Sequence, residues 1–216
     1  MRTLSWFSCG AASAVATKLT PDAEPVYCET GAEHPDNERF FADCEAWFDR
    51  KITRLKSDKY EDTWDVWTKR RYLAGVEGAL CTVELKAAPR LAYQKPTDVH
   101  VLGYTADQED VNRAQRLRAT YPEQTYVMPL IDRGLTKQHC LEMVQRAGIA
   151  LPPLYALGFD LGVHGRTPRM RGSYSCNDCT HFAVALLRAI GSSRSRYITT
   201  RHASTVASQG RKSHDG

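Results

Sequence analysis

The stretch Met1-Arg-Thr-Leu-Ser-Trp-Phe-Ser-Cys-Gly-Ala-Ala-Ser-Ala-Val-Ala-Thr-Lys-Leu19 decides the fold of this chain. It predicts a short strand, Thr3–Phe7, then a turn of small residues, Ser8–Ser13, and a helix that begins at Ala11. Small residues let backbone N–H groups approach an anion closely, and the positive end of a helix dipole favours negative charge. The stretch therefore predicts a phosphate-binding turn at the start of an α/β domain.

The turn Ser8–Ser13 lacks the residues that define two common phosphate-binding motifs. It matches neither G-x-x-x-x-G-K-[ST] nor G-x-G-x-x-G, which argues against a P-loop NTPase and against a dinucleotide-binding domain. The hydroxyl groups of Ser8 and Ser13 add hydrogen-bond donors to the backbone amides. The turn therefore predicts an oxyanion site that needs no nearby lysine.

An alternative interpretation of the same stretch is a secretory signal peptide. One basic residue precedes an apolar run, and Ala12-Ser-Ala14 resembles a cleavage site. However, Ser5, Ser8 and Gly10 interrupt the apolar run, and the α/β pattern that follows needs this segment as its first strand. We therefore expect a cytoplasmic protein whose seven cysteines stay reduced.

The composition indicates one ordinary domain with a short tail. With 216 residues, 42% of them hydrophobic, the chain can bury one good core, and it has no apolar run long enough to cross a membrane. The formal net charge of +4 suits an anionic nucleotide but is too weak to predict DNA binding. We expect a nucleotide-binding catalytic domain in residues 1–190 and a basic, disordered tail in 191–216, the only part expected to touch nucleic acid. Homo-oligomer formation is left open.

Short apolar runs alternate with helical patterns along the chain, which is typical of a parallel sheet covered by helices. The predicted fold class is therefore α/β, with a Rossmann-like parallel sheet and flanking helices. The predicted strands are Thr3–Phe7, Pro25–Cys28, Lys51–Leu55, His100–Tyr104 and Thr125–Leu130. The predicted helices are Ala11–Lys18, Asp36–Phe48, Thr63–Arg71, Val83–Ala92, Asp107–Tyr121 and Thr136–Ala147.

Ligands of such sheets bind beyond the carboxyl ends of the strands, where the loops converge. Four loops follow predicted strands in this way: Ser8–Ser13, Cys28–Pro35, Gly103–Gln108 and Pro129–Gly134. Together they supply backbone donors, carboxylates and one arginine. We expect them to surround a single cleft.

The first loop resembles a known nucleotide-binding motif. Ser8-Cys-Gly-Ala-Ala-Ser-Ala-Val15 is similar to the PP-loop of adenine nucleotide alpha hydrolases, usually S-G-G-x-D-S, and especially to its S-x-G-A-x-S-A-V variant in phosphoadenosine phosphosulfate (PAPS) reductases. Ala12 stands where the ATP-cleaving members usually carry aspartate. This difference favours the reductase branch over the ATP pyrophosphatases.

Further segments resemble the same family, in the expected order. Tyr27-Cys-Glu-Thr-Gly-Ala-Glu-His-Pro-Asp36 is similar to D-T-G-x-x-x-P-E, and Leu80-Cys-Thr-Val-Glu-Leu-Lys-Ala-Ala-Pro89 to C-x-x-x-x-K-x-x-P. Pro129-Leu-Ile-Asp132 and Leu154-Tyr-Ala-Leu-Gly-Phe159 resemble P-L-x-x-W and L-Y-x-x-G-Y. The whole set resembles the small PAPS-reductase-like proteins of phage genomes and covers Met1–Phe159.

The resemblance implies an adenine nucleotide site. Backbone groups near Tyr27, Cys28 and Gly103 would hold the adenine, while the first loop and several basic residues would face phosphate or sulfate. The implied ligand is PAPS, adenylyl sulfate, or ATP with Mg²⁺. The implied nucleotide-binding residues are Ser8, Cys9, Gly10, Ala11, Ala12, Ser13, Tyr27, Cys28, Thr30, Gly31, Lys86, Arg90, Gly103 and Arg133.

Two motifs of the PAPS reductases are absent from this sequence. The reductases carry G-[LI]-R-R after the fourth strand, where this chain has Gly103-Tyr-Thr-Ala106, and its next arginine is Arg113. They also end in E-C-G-x-H. The cysteine of this segment attacks the substrate sulfur and forms a thiosulfonate, which thioredoxin then releases. Two alternatives therefore stay open. One is an ATP-dependent PP-loop enzyme that adenylates its substrate, releases pyrophosphate and transfers sulfur or nitrogen; the other is a nucleotide-binding module without catalysis.

Cysteines near the C-terminus are the candidates for the missing thiol. Cys176 and Cys179 form a C-x-x-C before a predicted helix, His181–Ile190, whose N-terminus would stabilise thiolates. Three interpretations compete: a [4Fe-4S] cluster held by Cys81, Cys176 and Cys179, as in cluster-bearing relatives, a redox-active dithiol, and a zinc site completed by His181 or another residue. The predicted catalytic residues are the same three cysteines, with a thioredoxin-like protein as reductant.

Overall fold

The computed structural model describes residues 1–72 and 79–156 of the chain, all within one compact unit, Met1–Tyr174. Its centre is a five-stranded sheet in which every strand pair is parallel, in the order β3-β2-β1-β4-β5. This confirms the predicted α/β, Rossmann-like class. The strands are β1 Thr3–Trp6, β2 Glu24–Cys28, β3 Thr53–Leu55, β4 Val99–Val101 and β5 Thr125–Val127.

Helices connect the strands, as parallel pairing requires. The described helices are α1 Ala11–Lys18, α2 Asn37–Phe48, α3 Thr63–Arg70, α4 Leu80–Thr82, α5 Ala88–Tyr93, α6 Gln108–Thr120, α7 Pro129–Asp132, α8 Lys137–Arg146 and α9 Pro153–Ala156, with a π-helical segment Val83–Ala87 between α4 and α5. Among the described helices, none is long and apolar enough to cross a membrane. The predicted boundary at residue 190 and the tail beyond it lie outside the described residues.

The central strand β1 lies at the switch point of the sheet. Leu4 of β1 is in register with Glu24 of β2 on one side and with His100 of β4 on the other. The chain first builds outward from β1 to β2 and β3, and then returns to the opposite side for β4 and β5. The loops after β1 and β4 therefore flank a crevice at the carboxyl edge, where ligands of such sheets bind.

Successive residues of β1 face opposite sides of the sheet. On one side Phe7, which follows β1, packs edge-on against Phe41 and Phe48 of α2, in a core that α1 and α8 also enter. Buried Ser5 points to the same side, and its hydroxyl bonds Thr17 of α1 at 2.8 Å. On the other side Trp6 stacks on His100.

Among the predicted strands, the bounds of the third, fourth and fifth change most in the structure. The strand predicted from Lys51 begins at Thr53, because the Ile52 amide donates to Glu45 Oε1 of α2 instead of joining the sheet. The fourth strand is shorter than predicted, Val99–Val101. The fifth ends at Val127 and not at Leu130, because Pro129 has no N–H for a ladder bond and begins α7.

The helix predicted over Val83–Ala92 is longer and irregular. Helical structure begins at Leu80, widens to a π-helix over Val83–Ala87 and continues to Tyr93. The Ala88 amide donates to the Val83 carbonyl, five residues back. Pro89 follows, and its ring would clash with the carbonyl four residues earlier in a regular helix, which explains the wider turn.

Candidate functional site

The loop Ser8–Ser13 lies at the switch point, between β1 and α1, and Ser13 organises it. The Ser13 hydroxyl oxygen accepts from the Ser8 amide at 3.0 Å and from the Ser8 hydroxyl at 3.1 Å. It also donates to the Gly10 carbonyl at 2.9 Å. The two hydroxyl groups predicted to bind a ligand therefore bind each other, and they shape the loop before any ligand arrives.

The left-handed backbone conformation of this loop falls on Cys9, the residue before the glycine, and not on Gly10 itself. Cys9 has φ 59°, in the left-handed region that favours glycine. Gly10 has φ −124° and ψ 159°, an extended conformation that any residue adopts. What Gly10 supplies is therefore space, because it is the N-cap of α1 and has no side chain to bond the first amides of the helix.

The first amides of α1 differ in their partners. The Ala11 amide donates to the hydroxyl oxygen of Tyr155 at 2.9 Å. Within the described part of the chain, the Ala12 and Ser13 amides have no hydrogen-bond acceptor. These two donors, at the positive end of the helix, are open to an anion, and the Ala11 amide would be a third donor once the Tyr155 hydroxyl left it.

Gly103, after β4, closes one side of this turn. A Cβ built on Gly103 would lie 2.7 Å from Ser13 Cα and 2.8 Å from Ser13 N, so only glycine allows the two loops to approach this closely. Gly103 was predicted to contribute a backbone group to adenine binding. The structure places it in the wall of the crevice, directly against α1.

A cleft of about 630 Å³ adjoins the loop beyond the ends of β1, β2 and β3. Three of the predicted nucleotide-binding residues line it, namely Cys9, Tyr27 and Gly31. Gly31 has φ 67°, and a Cβ there would lie 2.5 Å from Asp62 Cβ, so glycine is required for both conformation and space. The lining of the cleft thus includes residues of the first and second predicted loops and none of Gly103–Gln108 or Pro129–Gly134, which were expected to border the same cleft.

Ion pairs on one wall of the cleft centre on Arg54. Its guanidinium lies 3.8 Å from the Phe41 ring centroid and pairs with Glu29 at 3.2 Å and Glu38 at 2.7 Å. Lys56 pairs with Glu29 at 2.7 Å. The hydrogen bond from Arg54 lowers the pKa of the Glu38 carboxyl, so both groups stay ionised. The charges of this wall are largely balanced before a ligand binds.

Glu33 organises the second loop. One of its carboxylate oxygens, Oε1, accepts from the Tyr27 hydroxyl at 2.9 Å, the Thr30 amide at 2.6 Å and the Thr30 hydroxyl at 2.8 Å. Thr30, predicted to bind nucleotide, is buried, and its hydroxyl faces Glu33. Sequence reasoning missed Glu33, although a carboxylate three residues after a threonine in a turn is a recognisable signal.

Comparison with known proteins supports the architecture. No protein-family model and no curated protein matches the chain. Among solved structures, the chain is similar to phosphoadenylyl-sulfate (PAPS) reductase from Candida auris in a phosphate complex, with a TM-score of 0.53 and 12% identity. The match covers 74% of this chain and 79% of that chain. The likeness shows a PAPS-reductase-like fold.

The predicted basic residues are not gathered at the loop. Arg90 lies over the Trp6 ring at 4.7 Å, on the sheet face opposite α1, and its Nε donates to Gln94. Lys86 lies one turn earlier, where its carbonyl accepts a weak bond from the Cys28 thiol. Arg133, at the end of α7, is exposed. Arg90 therefore lies on the sheet face opposite α1, and neither Lys86 nor Arg90 lines the cleft.

Three described cysteines are held as neutral thiols. Burial raises the pKa of Cys28 to about 11 and that of Cys140 to about 12, and it raises the pKa of Cys44 further. Cys81 is buried in α4. Cys176, Cys179 and His181 lie outside the described residues. Within residues 1–72 and 79–156, no group of three His, Cys, Asp or Glu side chains is placed to hold a metal ion.

Proposed function

We propose that this chain binds an adenine nucleotide at the carboxyl edge of its sheet and acts on a sulfur group of that nucleotide, as a PAPS-reductase-like enzyme. One observation carries the proposal. At the switch point of a PAPS-reductase-like fold, α1 begins at a glycine N-cap, and the Ala12 and Ser13 amides have no acceptor within the described residues. Such donors at a helix N-terminus favour phosphate and sulfate groups.

The rest of the nucleotide would extend from the loop into the adjoining cleft. Cys9 belongs to both the loop and the cleft lining, so the loop and the cleft adjoin at this residue. The Tyr27 side chain, fixed by Glu33, and the backbone near Gly103 would bound the nucleoside. Lys86, Arg90 and Arg133 stay proposed as contacts to the second anionic end of a sulfonucleotide.

Reduction of a sulfonucleotide requires a thiolate. The thiolate attacks the sulfonate sulfur, the bond from sulfur to the phosphate oxygen breaks, and the nucleotide leaves with that electron pair. A second thiol then displaces sulfite and leaves a disulfide. The raised pKa values of Cys28, Cys44 and Cys140 keep these thiols protonated at neutral pH, so none of them is suited to this role. We therefore retain Cys176 and Cys179 as the proposed nucleophile and its partner, with a thioredoxin-like reductant.

A [4Fe-4S] cluster on Cys81, Cys176 and Cys179 is the proposed metal centre. Cys81 is a buried thiol, as cluster ligands are, but the described residues place no second or third ligand beside it. The described part of the chain therefore does not show a fit for a cluster, and no step of the reaction above depends on one.

Ligand-dependent thermal stability tests the proposal. The full chain, purified without oxygen, is heated with PAPS, adenylyl sulfate, adenosine 3′,5′-bisphosphate or ATP with Mg²⁺. A ligand at about 100 times its Kd stabilises the folded state by about 2.7 kcal/mol. A shift mainly with the sulfonucleotides, followed by sulfite release, supports the proposal. A shift only with ATP and Mg²⁺ supports the adenylating alternative, and no shift with any of them contradicts nucleotide binding.

The variant Gly10→Asp makes the test more specific, because it should weaken anion binding without lowering the folding stability. The extended backbone of Gly10 suits an aspartate N-cap, whose carboxylate would bond the free amides of α1 and repel an anion. We expect this variant to fold with at least the stability of the wild type, with a gain of at most about 0.5 kcal/mol, and to lose the ligand-induced shift. The matched control is Asn112→Asp, which adds the same charge on the exposed side of α6 and keeps an acceptor for Gln108. The control should respond to ligand as the wild type does.

A further inference from the structure

A tyrosine from the far end of the described chain, Tyr155, contacts the first turn of α1 at the proposed anion site. The hydroxyl oxygen of Tyr155 lies 2.9 Å from the Ala11 amide, 144 residues away in sequence. A Cβ on Gly10 would lie 3.4 Å from the same oxygen. The phenol therefore accepts from the first amide of α1, beside the Ala12 and Ser13 amides that an N-cap side chain would bond.

The segment that delivers Tyr155 is anchored along its length. Gly148, with φ 76°, ends α8, and Ile149 is then buried in the core. Arg39 of α2 donates to the Ala150 carbonyl at 3.0 Å. Tyr155 itself packs against the core cluster that includes α1. We call residues 149–155 the strap. Its contacts bring the phenol to Ala11.

A tyrosine oxygen is a weaker partner for this amide than a nucleotide phosphate or sulfate. The phenol is neutral, whereas an anion interacts with the helix dipole and forms charge-assisted hydrogen bonds, which are about twice as strong as neutral ones. One N–H group makes one strong hydrogen bond at a time. An anion that uses the Ala11 amide must therefore displace the Tyr155 hydroxyl.

We propose that Tyr155 is an internal competitor for the anion site: its hydroxyl holds the Ala11 amide in the ligand-free protein, and the phosphate or sulfate of the nucleotide binds by replacing it. This inference rests on the proposed function, because it concerns the same loop. It assigns a regulatory role to the strap. Binding of the nucleotide releases the strap from the loop, and the cost of that release lowers the affinity for anions that make few other contacts.

Tyr155→Phe tests the inference, because it removes the hydroxyl and keeps the ring in the core. The control is Tyr126→Phe, whose hydroxyl bonds Gln124 on the other face of the sheet. The Kd of the full chain for inorganic pyrophosphate and for adenosine 3′,5′-bisphosphate is measured by calorimetry. We expect binding to tighten about three- to tenfold in Tyr155→Phe, the value of one net hydrogen bond, and to stay unchanged in Tyr126→Phe.

Other results would overturn the inference in distinguishable ways. Equal affinity in the wild type and Tyr155→Phe would show that the hydroxyl does not compete, and weaker binding in Tyr155→Phe would show that it contacts the ligand; the proposed function survives both results. If neither probe binds to the wild type or to Tyr155→Phe, both the inference and the nucleotide site fail.

A second variant shows whether Tyr155 acts through the Ala11 amide. Ala11→Pro deletes that N–H at the first helical position, where proline is favoured, and the preceding Gly10 is extended, as a residue before proline prefers. In the Ala11→Pro background, Tyr155→Phe should no longer tighten binding. A full gain in that background would overturn the mechanism, because the hydroxyl would then act elsewhere.

Discussion

Gly103 lies so close to the first turn of α1 that a Cβ on it would be 2.7 Å from Ser13 Cα. The contact joins the loops after β1 and β4, which form the two sides of the crevice. Both partners in the contact are backbone atoms, which cannot turn away as a flexible side chain could. The distance between the two loops therefore depends on position 103 having no Cβ.

Gly103→Ala should destabilise the fold by about 1–3 kcal/mol, because backbone would have to move to admit the methyl group. The control is Gly10→Ala in the facing loop, where the backbone is extended, a Cβ meets its nearest neighbour at 3.4 Å, and the loss of a glycine N-cap should cost only about 0.5 kcal/mol. Urea denaturation of both variants measures the difference. Equal stability of the two would contradict the close approach of Gly103 to α1.

Replacement of Cys9 by glycine should give a more stable protein than replacement by alanine. Both substitutions remove the thiol, but only glycine relieves the cost of a Cβ at φ 59°. We expect Cys9→Gly to be more stable than Cys9→Ala by about 1 kcal/mol in urea denaturation. If alanine proved the more stable, the left-handed conformation of this residue would be ruled out.

His100 should make the protein less stable below neutral pH. Burial, and then repulsion by Arg90, lower the pKa of His100 to about 4, and its Nδ1 accepts a hydrogen bond from the Trp6 indole at 3.1 Å. The unfolded chain takes up this proton near pH 6.5 and the folded chain only near pH 4. The contribution of neutral His100 to the free energy of unfolding is therefore complete above about pH 6.5. It falls by up to about 3 kcal/mol as the pH drops to 4.

His100→Asn isolates this contribution, because the amide oxygen can replace Nδ1 as the acceptor but does not titrate. The free energy of unfolding, measured by denaturant at several pH values, should depend less on pH in the variant than in the wild type between pH 6.5 and 4. Parallel pH profiles for the two proteins would mean that other groups cause the loss of stability at low pH.

Asp98 should be the most costly carboxylate to neutralise. It is buried, and it accepts from Arg2 Nη2 at 2.7 Å and from the Lys95 amide at 2.8 Å. The bond from Arg2 lowers the pKa of Asp98. Asp98→Asn keeps the size but removes the carboxylate that Arg2 pairs with at 2.7 Å, and we expect a loss of about 1–3 kcal/mol. Asp43→Asn, at a more exposed ion pair with Arg39, should cost under about 1 kcal/mol in the same denaturation assay.

The sequence predicted those parts of the molecule that depend on neighbouring residues. Alternating apolar and helical patterns gave the parallel sheet, and Ser8–Ser13 was recognised as a small-residue turn before α1. The π-helix before Pro89 was also readable in principle, since proline disturbs the turn before it. These features are set by steric and hydrogen-bonding preferences within a few residues.

The missed features depend on contacts between distant segments. Nothing near Tyr155 in sequence shows that its hydroxyl bonds Ala11, and nothing near Gly103 shows that α1 passes over it. Tertiary packing decided these positions, and periodicity carries no information about it.

The position of β1 in the middle of the sheet also has a consequence for synthesis on the ribosome. Thr3 pairs with Val99, so β1 is made before β4 and lacks one neighbour until Val99 has been translated. During that interval the nascent chain carries an unpaired strand edge next to a finished helix, which is a form prone to aggregation. The N-terminus of α1 is completed later still, because Tyr155 is made last among the described contacts of the loop.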